Sequence, residues 1–388
     1  MTPAPGWVEI DLDAIEHNLD VVVQRFGATT EVCAVVKADA YGHGIEHVLP
    51  LIMARGIRTI GITSTEEAVA ARFLGFTGRI LRIRPALAAE IEDGVAHGIE
   101  EWVGGAEHAE VVAQVARDRG IRIAAHVSIN ATGLSRDGIE LTRPGGMHEL
   151  HRVVSHRELR IAGVCSHFPD EDRTDVARGA AAFQVQSAAV LRSVGADAVG
   201  VQRHCATSYA ALTVTDAAFD MVRIGAAIYG DTVAPGTGFR SAFALKSRVA
   251  AVNRYPGGNT VGYDRTHRLD RDAVLATVPI GYADGIQRSM GGRGSALIQG
   301  CRVPIVDRHA MNTLTIDVTE VGSVEPGEEV VFYGSQGDER ISSADLERAN
   351  AHIAADLYSV WGRLHPRVPV RSTRRTASPA GERTPTAL

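Results

Sequence analysis

Apolar positions in the first part of the chain switch repeatedly between two periods. Trp7-Val8-Glu9-Ile10 alternates like a short strand, and Asp11 is placed to cap a helix on which Leu12, Ile15, Leu19, Val22, Val23 and Phe26 recur at helical spacing. Val32 to Val36 is an unbroken apolar run, the pattern of a fully buried strand. Strand-like and helix-like stretches then alternate. Strands are predicted over 57–62, 79–83, 100–103, 121–129, 159–165, 199–204 and 219–224. Helices are predicted over 65–73, 86–95, 106–118, 145–154 and 177–194, with a short one over 210–212. Strands alternating with helices imply a parallel sheet, and eight β/α units at this length predict a closed (β/α)8 barrel, an α/β fold.

After Gly230 the runs become short and alternating, over 244–252, 273–280, 295–298, 303–306, 314–318 and 329–332. Turn residues such as Pro256-Gly257-Gly258-Asn259 separate them, so a C-terminal mainly-β domain is expected, with one helix over 343–360. The expected division is 1–10 as an N-terminal strand packing with the β-domain, 11–238 as the barrel and 239–371 as the β-domain. Residues 372–388, rich in Thr, Arg, Pro and Ser, read as a disordered tail.

Composition narrows the function classes. The chain has 388 residues, 45% hydrophobic and 22% charged, with net charge −6 and the two signs interspersed, so neither nucleic acid nor an anionic membrane is an expected partner. No stretch reaches the length of a membrane span. The first six residues show no basic and no apolar leader region, so a cytoplasmic protein is expected. Cys33, Cys165, Cys205 and Cys301 are far apart and read as thiols in a reducing compartment.

The apolar run ending at Val36 stops abruptly on Lys37. Burial lowers an ammonium pKa, and a neutral amine is the nucleophile that forms Schiff bases; a lysine snorkelling to solvent fits the strand position equally well. In (β/α)8 barrels the chemistry sits at the C-terminal strand ends, and Lys37, His167 and Arg223 all fall at or just after such ends. His43-Gly44-Ile45-Glu46-His47 fits H-x-x-E-H, but five-residue matches arise by chance and a third ligand is not evident, so no metal is assigned.

The stretch Val35-Val36-Lys37-Ala38-Asp39-Ala40-Tyr41-Gly42-His43-Gly44 resembles the cofactor-lysine signature of the alanine racemase family, which uses pyridoxal phosphate. The resemblance runs from Trp7 to about Trp361. Racemisation removes and replaces an α-proton too weakly acidic for a side chain alone, and the cofactor delocalises the resulting carbanion. The resemblance implies that Lys37 holds the cofactor and serves one face of the α-carbon. Tyr263, in Val261-Gly262-Tyr263-Asp264-Arg265-Thr266, would serve the other face from the partner subunit of a homodimer with shared active sites. Arg223 matches the family arginine facing the pyridine nitrogen, with His167 beside it. Tyr41, Ser208 and Tyr358 match phosphate contacts, and the backbone N–H groups of Gly225 and Ala226 are expected to add to that cradle. Arg136 aligns with the arginine near the substrate carboxylate, Tyr282 with a tyrosine at the mouth, and Met311-Asn312 with a loop meeting the amino-acid substrate from the partner subunit.

Two positions depart from ordinary alanine racemases. Ser128 stands where they carry a lysine, modified to a carbamate, that supports the arginine. Asn312 stands where they carry aspartate. Both changes resemble the broad-spectrum amino-acid racemases, so alanine and longer or basic side chains are expected substrates. Arg308 and His309 beside the mouth would oppose a cationic side chain if they point inward. The alternatives are a strict alanine racemase and a basic amino-acid decarboxylase of the same fold, although decarboxylases lack the Tyr263 motif and usually place a glutamate at the Arg223 position. A pyridoxal-phosphate carrier protein is a third reading, but that family is a lone barrel without a β-domain.

Overall fold

The computed structural model describes residues 4–231, 238–350 and 352–371; the tail expected over 372–388 lies outside the described residues. The chain opens with β1 (Gly6–Asp11), whose Val8 and Ile10 are buried while Trp7 and Glu9 are half-exposed. Asp11 then accepts from the Ala14 N–H and caps the helix Leu12–Phe26. That helix buries Ile15, Leu19 and Val22 against the barrel, each worth about 1.5–3 kcal/mol.

Eight strands follow: β2 (Glu31–Val35), β3 (Thr59–Ile62), β4 (Arg79–Arg82), β5 (Ile99–Val103), β6 (Ile123–Ser128), β7 (Leu159–Cys165), β8 (Gln202–His204) and β9 (Met221–Ile224). They pair in parallel in the order β8-β7-β6-β5-β4-β3-β2-β9. Backbone bonds from Asp220 N to Arg203 O at 3.1 Å and from Arg223 N to Ala206 O at 3.0 Å join β9 to the β8 side, so the barrel nearly closes. Helices cover its outside. One of them, Ile45–Ala54, lies where the sequence pattern predicts no element, and it carries Pro50 inside it.

The β-domain contains β10 (Phe243–Arg248), β11 (Ala251–Tyr255), β12 (Thr260–Val261), β13 (His267–Arg268), β14 (Ala273–Val278), β15 (Ser295–Ile298), β16 (Cys301–Pro304), β17 (Leu314–Asp317), β18 (Glu329–Gln336), β19 (Glu339–Ile341) and β20 (Arg367–Val370). The main sheet runs β16-β15-β18-β10-β1-β20, so the first and last described strands pair there in parallel. The run expected as one strand over 244–252 is two: β10 belongs to this sheet and β11 to a second, β11-β14-β17. The switch falls at Val249 and Ala250, whose N–H groups bond Glu328 O and Thr277 O, one on each sheet. The helix expected over 343–360 is also two, Ser343–Asn350 and Ala354–Leu364. Asn350 Oδ1 takes the His352 N–H at 2.7 Å and Ile353 is extended, which ends the first helix. No helix among the described residues is long and apolar enough to cross a membrane.

Candidate active site

The signature stretch is a left-handed helical turn rather than an ordinary polar loop. Val36 N still bonds Gly61 O at 2.8 Å, so Lys37 is the first side chain released at the barrel's C-terminal end. Ala38, Asp39, Ala40 and Tyr41 then take φ of 52° to 55°, and Gly42 takes 78°. Such φ costs an L-residue about 1–2 kcal/mol each. Bonds from Ala40 N to Val36 O at 2.8 Å and from Gly42 N to Ala38 O at 2.9 Å recover part of this. Asp39 Oδ1 accepts from Ile45 N at 2.8 Å, and its other oxygen pairs with Arg367 of β20. A Cβ on Gly42 would stand 2.3 Å from the Tyr358 carbonyl, so only glycine fits there. Strain of this kind persists only where the surroundings over-determine it, and it gathers at functional residues.

Lys37 does not snorkel. Its amine lies over the Tyr41 ring, 5.6 Å from the centroid, and its pKa is lowered by burial and then by the positive charge of Arg136 and Arg223, against Glu67. Burial, Arg223, Arg136 and Lys37 together push the His167 imidazole down to about 3. Arg223, at the end of β9, is buried. Its Nη1 donates to His204 Nδ1 and O, and its Nη2 to Ser166 O at 2.8 Å, Cys205 O and His167 Nδ1. Both terminal nitrogens are thereby committed to the protein, which leaves Nε–H as the remaining donor.

Ser208 Oγ accepts from the N–H groups of Gly225 and Ala227, both at 3.2 Å, with Ala226 between them on a short helix. A Cβ on Gly225 would stand 2.5 Å from Tyr41 Oη. The Tyr358 hydroxyl, also buried here, donates to Asp231 at 2.6 Å. Tyr229 backs the group: its ring lies 4.8 Å from Tyr41 and its hydroxyl donates to Val35 O. An amine whose pKa is lowered by burial, a guanidinium with one spare donor and a serine between backbone amides form a set suited to an anionic, carbonyl-bearing cofactor.

Arg136 is half-exposed, and its Nε donates to Asp137 Oδ2 at 3.2 Å. Ser128 Oγ and Trp102 Nε1 both donate to Asp137 Oδ1, at 2.9 Å each. The carboxylate that holds Arg136 is therefore its own neighbour in sequence.

Tyr263, Tyr282, Met311 and Asn312 form a separate, exposed set on the β-domain. Tyr263 N bonds Arg308 O, Tyr282 N bonds Ala310 O, and Asn312 donates to Asp284 at 3.4 Å. Arg288 lies 5.6 Å from the Tyr263 ring centroid. No hydrogen bond, ion pair or ring contact among the described residues joins this set to Lys37. Arg308 donates to Asp264 at 2.6 Å and His309 is buried against Ile286 O, so neither stands as a free cation at the mouth. Of the H-x-x-E-H residues, His43 is buried on the carbonyls of Ala40 and Tyr41, while Glu46 pairs with Arg367. Sequence reasoning passed over His204, Asp137, Asp231 and Tyr229; an Asp directly after Arg136, where Ser128 leaves the arginine without its usual anion, was the available signal for one of them.

Comparison with known proteins agrees with this geometry. The family of the alanine racemase N-terminal domain matches residues 10–233, and that of the alanine racemase C-terminal domain matches 242–371. A broad specificity amino-acid racemase of Aeromonas hydrophila is 41% identical over 94% of this chain and 90% of its own. A lysine racemase of Proteus mirabilis is 37% identical over 94% and 89%. The crystal structure of alanine racemase from D-cycloserine producing Streptomyces lavendulae superposes with a TM-score of 0.86 at 29% identity, covering 95% of this chain and 98% of that one. With both domains matched and such identity over nearly its whole length, the chain belongs to the alanine racemase family and is an amino-acid racemase.

Proposed function

We propose that the chain is a pyridoxal-phosphate-dependent racemase of broad side-chain tolerance that works by two bases in a homodimer. The observation that carries this reading is the convergence of Lys37, Tyr41, His167, Arg223 and Ser208 at the C-terminal mouth of the barrel, with the lysine amine depressed by burial and two arginines. Bound pyridoxal phosphate supplies the electron sink that makes an amino acid's α-proton removable. Lys37 holds the cofactor, and its amine takes or returns the proton on one face. Arg223 offers its Nε–H to the ring nitrogen and stays charged, so that nitrogen is met by a hydrogen-bond donor and not by an acid. His167, kept neutral, flanks it.

Ser208, oriented by the Gly225 and Ala227 amides that donate to its oxygen, would hold the phosphate with the amide of Ala226 and the hydroxyl of Tyr41. Tyr358 is anchored on Asp231 and walls the same side. Arg136, steadied by Asp137, meets the substrate carboxylate. Tyr263 handles the proton on the other face and Tyr282, Met311 and Asn312 shape the mouth, all from the partner subunit, because on their own chain they lie exposed and apart from Lys37. Breadth is supported by the neutral Asn312, by Arg308 being paired and His309 being buried, and by the broad specificity and lysine racemases among the relatives.

The test is deuterium exchange at the α-carbon, in heavy water, with loss of optical rotation across a panel of L-amino acids. A decarboxylase would release carbon dioxide instead. Subunits carrying Lys37→Ala and Tyr263→Phe are then mixed. Recovered activity in the heterodimer is the expected result, and none would mean that each site is built from one chain.

A further inference from the structure

The inside of the barrel is not an ordinary apolar core. By the alternation along the strands, Cys33, Leu81 and Met221 make a small apolar cluster there with Ile83 packed against it, and the buried Glu100, His126, His204 and Arg223 stand beside it. A single line of hydrogen bonds runs through it from Arg223 toward the opposite face. Arg223 Nη1 meets His204 Nδ1 at 2.8 Å, His204 Nε2 meets His126 Nδ1 at 2.8 Å, and His126 Nε2 meets Glu100 Oε2 at 2.8 Å. Glu100 is clamped in turn by Arg79, whose Nε and Nη2 reach its two oxygens at 3.0 and 2.8 Å. Both imidazoles are wholly buried.

Chemistry sets the direction of this line. A guanidinium can only donate, so His204 Nδ1 must accept. Neutral His204 then carries its proton on Nε2 and donates to His126 Nδ1, and His126 carries its own on Nε2 and donates to Glu100. Burial lowers both imidazoles, which keeps them neutral. Burial works against the Glu100 anion, but the bonds from His126 and Arg79 outweigh it and hold the carboxyl down to about 2. Every member is therefore satisfied in one polarity, and the reverse polarity would set a His204 N–H against an Arg223 N–H.

The fold makes room for this line. The register of β6 on β7 shifts between Ala125 and His126, leaving Ala162 as an extra residue that re-aims the strand. His126 comes to lie opposite Gly163, where a Cβ would stand 2.2 Å from His126 Nδ1. Trp102 closes the other side, 5.4 Å from the Arg223 guanidinium carbon and 6.1 Å from the His204 ring.

We propose that His126 and Glu100 are positioning residues of the active site: by fixing the tautomer of His204 they hold the Arg223 guanidinium in place at the barrel mouth. The role rests on the reading of Arg223 as a cofactor contact. The test uses the full chain labelled with 15N-histidine. Both His204 and His126 should be neutral with the proton on Nε2, and a proton on His204 Nδ1 would overturn the proposal even if no variant folds.

His126→Leu removes the link, whereas His126→Gln keeps one acceptor and one donor in the same direction. His126→Leu should lose the single His204 tautomer and about tenfold to a hundredfold in kcat/KM, as expected when a site group is displaced, and His126→Gln should recover most of both. A leucine variant as active as wild type, or leucine and glutamine variants equally slow with the His204 tautomer unchanged, would overturn it. The tautomers are read without turnover. Failure of the Arg223 assignment would instead appear as an Arg223→Lys variant of undiminished activity.

Discussion

Asp137 offers the sharpest separation of stability from function. Its side chain is 13% exposed and has two jobs. Oδ1 accepts from Ser128 Oγ and from Nε1 of the buried Trp102, each at 2.9 Å, and Oδ2 accepts from Arg136 Nε at 3.2 Å. Asp137→Ala orphans two buried donors at about 1–3 kcal/mol apiece, so about 2–6 kcal/mol of stability should be lost. Asp137→Asn keeps its amide oxygen toward Ser128 and Trp102 and turns its NH2 toward Arg136. The Arg136 side chain is 56% exposed, so losing that ion pair costs at most about 1 kcal/mol of folding stability. The functional cost is larger. A charge-assisted bond from Arg136 to the substrate carboxylate is worth about 1.5–3 kcal/mol, so misaiming it should raise KM about tenfold to a hundredfold for every amino acid. Initial racemisation rates with alanine and lysine, followed polarimetrically beside thermal unfolding, distinguish the two variants. An asparagine variant with wild-type KM, or one as unstable as the alanine variant, would refute the assignment.

Three further outcomes are expected. Gly42→Ala combines positive φ with a 2.3 Å approach to the Tyr358 carbonyl, so thermal unfolding should show a loss of more than about 1 kcal/mol together with loss of activity. Stability should fall as pH drops from about 6.5 toward 4: burial holds His43 down to about 4 and His167 to about 3, so over that window the unfolded chain binds more protons and folding is favoured by raising the pH; a melting temperature flat across this range would contradict it. Asp264→Asn releases Arg308 from its ion pair at the mouth and should raise KM for lysine more than for alanine, and equal effects on both would show that Arg308 does not face the substrate.

The barrel was legible because several of its strands are apolar runs that alternate with segments of helical spacing, a signal carried by each segment alone. Val32 to Val36 could be little else, and Ser64 and Glu67 do form a capping box at the start of the next predicted helix. What stayed hidden depends on residues distant in sequence. Glu100, His126 and His204 each interrupt a buried strand, and the pairing that satisfies them spans intervals of 26 and 78 residues. The sheet switch at Val249 and Ala250 carries no proline or glycine to mark it, since both residues suit a continuous strand. Asn350 ends a helix through its own side chain in a stretch whose apolar spacing runs on unbroken.

The left-handed turn shows why the lysine's setting could not be read locally. Alanine and tyrosine have no preference for φ near +55°, and nothing local in Ala38 to Tyr41 marks a left-handed turn beyond the tolerance of Asp39 for it. The conformation is imposed from outside. Glu67 of the following β/α unit accepts from Asp39 N at 3.4 Å, Arg367 of the last strand pairs with Asp39, and the helix carrying Tyr358 crosses so close to Gly42 that no side chain fits. Two of these three restraints come from the β-domain. That domain therefore does more than carry Tyr263: it holds strained backbone beside Lys37 on its own chain. Bringing β1 and β20 side by side in one sheet ties both ends of the described chain to the same support. A barrel freed from residues 354–371 would lose the Arg367 and Tyr358 contacts, leaving the Glu67 and Ile45 bonds to Asp39 and the turn's own backbone bonds to hold left-handed residues that cost about 1–2 kcal/mol each. The turn should then relax toward right-handed backbone, and Lys37 should leave the buried setting, near the charges of Arg136 and Arg223, that lowers its pKa; a truncated chain whose Lys37 amine titrates as in the full chain would refute this.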